Sequence, residues 1–99
     1  VLQDTISFQL VAAQEILKQC SVAAKARGDG LGCRIHVARA KSIEQISYMK
    51  RISIKIRNAI AMILVHSAED IGSRSELSRE LVRLRNSILP EKPYRGPAT

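Results

Sequence analysis

Residues 46–58 read ISYMKRISIKIRN. The stretch carries Lys50, Arg51, Lys55 and Arg57, no acid, and isoleucines at 46, 52, 54 and 56. Whether it is strand or helix decides the fold. ISIKI (52–56) alternates, and Ile is a good strand former, so a strand is locally possible. The flanks argue otherwise. From Cys33 to about Ser67 the chain has neither Gly nor Pro. On a helical wheel Ile35, Ala38, Ser42, Met49, Ile52, Ile56, Ile60 and Ile63 share one side, with Ile46 and Leu64 at its edge. Period and missing breakers together predict one long helix over about 33–68, roughly 50 Å from end to end.

Upstream, Asp4 or Thr5 can cap a first helix. Ile6, Leu10, Ala13, Leu17, Cys20 and Ala24 follow a 4-3-4-3-4 spacing, one apolar face of that helix. Phe8, Val11 and Ile16 are read as widening it. RGDGLG (27–32) supplies a helix C-cap and a turn. Downstream, Ser73-Arg74-Ser75-Glu76 has the form of a capping box. Leu77, Leu81, Leu84 and Ile88 then give a narrow apolar seam. Glu76, Arg79, Glu80 and Arg83 offer ion pairs along the exposed side, and Pro90 stops the helix. The tail PEKPYRGPAT (90–99) holds three prolines and no core pattern, so it is expected to be extended or disordered. The fold class is therefore all-α. It comprises an antiparallel pair over about 4–27 and 33–68, a shorter third helix over about 73–89, and a single domain over 1–89. Two helices and a short third cannot cover both sides of an Ile-rich 35-residue helix. A homodimer built as a four-helix bundle is expected to do so.

The composition is 45% hydrophobic, enough for a modest core in a chain of 99 residues. The net charge is +7, which points to an anionic partner, nucleic acid before membrane. Residues 33–68 hold seven basic residues against Glu44 alone, so nearly all of the net charge lies there. The longest apolar run, AIAMILV (59–65), falls far short of the roughly 18 residues a membrane span needs. The opening VLQDTISFQL has no basic region of a secretory signal. With only two cysteines, a reducing compartment such as the cytoplasm is expected. Cys20 and Cys33 lie out of register across the turn, and Cys20 is read as a buried thiol.

On a continuous second helix Arg39, Lys50 and Arg57 fall within about 20° of one another and reach over about 27 Å. Ser53 lies beside them, and Arg51 and Lys55 sit further round. A line of cations suits a linear polyanion. There is no Trp, one Phe and two Tyr, too few for the base stacking of single-strand binders. Contact with duplex phosphates follows, by Arg39, Lys50 and Arg57 first, Ser53 as a hydrogen-bond donor, and Arg51 and Lys55 second. Duplex RNA, read mainly by shape, and duplex DNA both fit this layout.

The Lys50…Ser53…Arg57 run, and RELVRLRNSILP (79–90) before a Pro-rich tail, resemble the nodavirus suppressors of RNA silencing. The resemblance spans helix order and lengths over most of the chain. It implies a helical hairpin with a short third helix, two copies pairing antiparallel. One face of that dimer would lie along double-stranded RNA regardless of sequence and shield it from Dicer and from the silencing complex. Lys50, Ser53 and Arg57 would sit on the RNA-facing side, in the cytoplasm of a host cell.

No chemistry of another kind is legible. His36 and His66 have no ligand partners at metal spacing. RGDGLG lacks the strand and the Gly-Lys-Ser/Thr of a phosphate loop. Glu76 and Glu80 have Arg neighbours that keep them ionised. No nucleophile–base pair is present, so no enzyme, no cofactor and no small-molecule substrate are expected. The rival reading is a non-enzymatic structural or assembly subunit of a larger complex.

Overall fold

The computed structural model describes residues 2–72 and 74–89, with side chains from Ile6 onward. Four helices make up this part, and no strand occurs among the described residues: α1 Leu2–Ala26, α2 Gly30–Ser47, α3 Ile54–Ile71 and α4 Glu76–Ile88. α1 and α2 form one hairpin, α3 and α4 a second, and the two meet chiefly through α1 against α4. The Cα envelope is flat, 49 × 33 × 18 Å.

The expected face of α1 is the one buried. Ile6, Leu10, Ala13, Leu17, Cys20 and Ala24 all lie in the core, and Ile16 joins them. Phe8 and Val11 do not: they are 80% and 54% exposed. The reason is angular, since two residues past Ile6 places Phe8 about 160° round the helix from it. Asp4 and Thr5 fall inside α1, which begins at Leu2. At its far end Gly28 takes φ 82°, a conformation favouring glycine. Its N–H donates to Lys25 O at 3.0 Å, and Asp29 N–H to Ala24 O at 2.9 Å, a Schellman closure. Asp29 then caps α2 by accepting from Gly32 N–H at 2.8 Å. A side chain at Gly32 would collide with that carboxylate.

The long second helix does not form. It breaks at 48–53, inside the deciding stretch, and the described residues form four helices where three were expected. Tyr48 and Met49 N–H close α2 with short bonds to Gln45 O and Ile46 O. Ser53, in extended conformation, starts α3 by accepting from Ile56 N–H at 3.2 Å. The break lets α2 and α3 turn different faces inward. A continuous helix would align Ile35, Ala38 and Ser42 with Ile56, Ile60 and Ile63. Instead α2 buries His36, Ala40 and Ile43, from its opposite side, and leaves Ile35, Ala38 and Ser42 exposed. The three-residue turn at 27–29 is too short to let α2 rotate freely against α1. α3 keeps the expected face only in part: Ile60 is fully buried and Ile56 and Ile63 are half-buried, while the buried centre moves toward Leu64, Ala61 and Ala68. Of the Ile-rich face, Ile60 is buried and Ile52, Ile56 and Ile63 are half-buried, while Ile35, Ala38, Ser42 and Met49 stay exposed, so the monomer covers it only in part.

Ser73, expected as the cap of the last helix, lies outside the described residues, as does the tail 90–99. Ser75 caps α4 by accepting from Leu77 N–H at 3.1 Å, and Glu76 pairs forward with Arg79 at 3.0 Å. Leu81 and Ile88 are buried and Leu77 and Leu84 pack beside them, as the seam predicts. Leu89 turns extended, the conformation imposed on a residue before proline. One cluster joins all four helices, through Leu10 and Leu17, Ala40 and Ile43, Ile60 and Leu64, and Leu81 and Ile88.

Candidate nucleic-acid interface

The cations expected to form one line take three different roles. Arg39 projects from α2 onto the end of α3. Its Nη1 donates to Asp70 Oδ2 at 2.7 Å and to Ser67 Oγ at 3.0 Å, and the side chain is only 24% exposed. Ser67 in turn donates to Ile63 O at 2.8 Å. Arg39 thus pins α2 to α3, which otherwise touch little. Arg57 lies near the start of α3 and donates from Nη1 to Ile88 O at 3.2 Å. A cation on the last carbonyls of a helix satisfies an orphan acceptor and opposes the helix dipole. Arg57 therefore stitches α3 to the end of α4.

Ser53 has the local task of capping α3. Replacing it by alanine is expected to cost about 1 kcal/mol in urea unfolding and to leave the salt dependence of any anion binding unchanged.

Lys50 and Arg51 lie in the connection between α2 and α3, and Lys55 in the first turn of α3. All three are exposed, with no ion pair or hydrogen bond to a described residue. Within residues 33–68 two further cations share that state: Arg34 and Lys41, seven residues apart on the outward side of α2. The sequence reading passed over them because it ranked cations by a wheel running through the break. Their i, i+7 spacing on an acid-poor side was the available signal. From Arg34 the outward side of α2 runs about 20 Å to Tyr48 and the 48–53 connection. Glu44 is the only acid in the segment, and it accepts from Tyr48 Oη at 3.1 Å. In chain order the free cations of this segment run from the second turn of α2 through the connection into the first turn of α3, and Arg39 and Arg57 drop out of the expected line.

His36 is buried beside this region, with Nδ1 lacking any partner. Burial pushes its pKa below the ordinary 6.5, and the Arg39 charge adds to the shift, with a smaller push from Arg27. Asp70 and Asp29 oppose it only in part. The folded state then binds the proton less readily than the unfolded chain, so stability falls as pH drops below 6.5 toward the lowered folded value. The urea midpoint should decline on going from pH 7 to below 6, and His36→Leu should flatten that decline.

Cys20 is buried and free, its thiol pushed up to about 11 by burial, with Arg27 opposing; Cys33 is free and half-buried. A thiol held protonated is inert, in keeping with its place in the core. No group of three or more His, Cys, Asp or Glu residues able to hold a metal occurs among the described residues. No described helix is long and apolar enough to cross a membrane. No protein-family model, curated protein or solved structure matches the chain.

Proposed function

We propose that the protein is a non-enzymatic helical module that binds duplex nucleic acid, double-stranded RNA in preference to DNA, without reading its sequence. One observation carries the reading. Arg34, Lys41, Lys50, Arg51 and Lys55 are all exposed and partnerless, along a side whose one acid is engaged by tyrosine. Cations spread along a helix and a connection suit a linear polyanion better than a compact ligand, which needs cations converging on a point. Among the described residues Tyr48 is the single Tyr, Phe or Trp of the 33–68 segment, which favours duplex over single-strand stacking. In this proposal Lys50, Arg51 and Lys55 contact phosphates. Arg39, Arg57 and Ser53 serve the fold first and support the strip by holding its helices in place. Shielding RNA from the silencing machinery, in the manner of a viral suppressor, is the narrower form of this proposal.

The test is a gel shift with matched duplex RNA, duplex DNA and single-stranded RNA at two salt concentrations. Tight, salt-sensitive, sequence-blind binding to duplex RNA is the expected result. No binding to any of the three at low salt would sink the proposal. The assembly-subunit reading would then lead, supported by the exposed Leu31, Ile54 and Met62.

A further inference from the structure

The side of α1 turned away from the core carries a repeating pattern. Phe8, Val11, Glu15, Lys18, Val22 and Lys25 follow a 3-4-3-4-3 spacing and occupy a stripe about 100° wide, opposite the buried face. Phe8 is 80% exposed and Val22 68%. Glu15 and Lys18 pair within the chain at 3.6 Å, with both side chains more than half exposed. This spacing is that of a two-helix seam, yet the monomer leaves it uncovered.

We propose that a second copy of this chain covers the stripe, α1 against α1, antiparallel about a two-fold axis passing between Ile16 and Leu17. The charges select this arrangement. Turning one helix about that point sets Glu15 opposite the partner's Lys18 and Lys18 opposite the partner's Glu15. The same operation sets Val11 opposite the partner's Val22, and Phe8 opposite the partner's Lys25, whose alkyl stem can lie on the ring. Every position meets a complement. A parallel pairing would instead set Glu15 against Glu15 and Lys18 against Lys18. A self-complementary patch that maps i onto j and j onto i is the requirement of a two-fold homodimer. One helix per copy buries less than the roughly 1,200 Å² at which stable complexes begin, so the dimer is expected to form at micromolar concentration or above. The surface is independent of the cation strip and the inference does not rest on nucleic-acid binding.

The test is sedimentation equilibrium of the whole chain over a wide micromolar range, without nucleic acid, with circular dichroism to confirm helicity. Wild type should show a monomer–dimer equilibrium. Glu15→Lys alone, and Lys18→Glu alone, should each weaken it by roughly tenfold. An equimolar mixture of the two single variants should associate again, as a heterodimer whose facing charges are opposite. Phe8→Asp should also weaken association, without touching the charge pattern. A wild type that stays monomeric at every concentration overturns the proposal and leaves the stripe to a different partner. So does a mixture that associates no more tightly than either variant alone.

Discussion

Replacing Lys50, Arg51 and Lys55 together by alanine is expected to weaken duplex RNA binding at least tenfold and to flatten its salt dependence. Each phosphate contact releases counterions and contributes about 0.9 to the slope of log affinity against log salt, so three lost contacts remove up to roughly 3 from it. The three residues are exposed and partnerless, so the folded chain should keep its helicity. Arg57→Ala and Arg39→Ala are expected to behave the opposite way. Each removes a tie between helices, to Ile88 O or to Asp70 and Ser67, and should lower stability more than it alters the slope. Titrations at several salt concentrations, read beside urea unfolding, separate the two classes. Equal slopes for wild type and the triple variant would remove the strip from the interface.

The second large effect lies in the core. Leu17→Ala, at a position with no exposed surface on α1, is expected to cost about 2–5 kcal/mol. Set against the roughly 5–15 kcal/mol that holds a domain of this size together, that is a large fraction. It should lower the melting temperature by about 10 °C or more, at roughly 4–8 °C per kcal/mol. Phe8→Ala is the matched control. It deletes a larger side chain, but one 80% exposed, so in dilute solution it should change stability by no more than about 0.5 kcal/mol. Calorimetry on the two variants decides between the faces of α1. Comparable losses would return Phe8 to the core.

The candidate site was legible only in part. Lys50 is placed by its angle on a continuous helix and Arg51 and Lys55 by lying further round it, within the segment where the charge is concentrated. Arg39 and Arg57 could not be sorted from them, because what removes them from the free set lies 31 residues away along the chain in each case. Arg34 and Lys41 were obscured by the opposite error. Their exposure follows from which face α2 buries, and the wheel assigned that face wrongly.

Local rules were enough for several elements. The 4-3-4-3-4 spacing placed the core side of α1, the glycines of RGDGLG placed its end, and the leucine seam placed α4. Each of these depends on interactions within a turn or two of helix, which a short stretch of sequence contains in full. The 48–53 break is of another kind. Nothing in ISYMKRISIKIRN forbids a helix, and an unbroken one would satisfy every local hydrogen bond. What opposes it is closure of the core. The short turn at 27–29 sets the face that α2 presents to α1, while α3 must turn Ile60 and Leu64 toward α1 and α4. A single rigid helix cannot satisfy both phases. The sequence by itself determined that the chain is helical, where its outer helices lie and where its charge is concentrated. Only the tertiary structure decided where the middle segment bends and which cations remain free, because both depend on burying apolar faces that lie far apart in the chain.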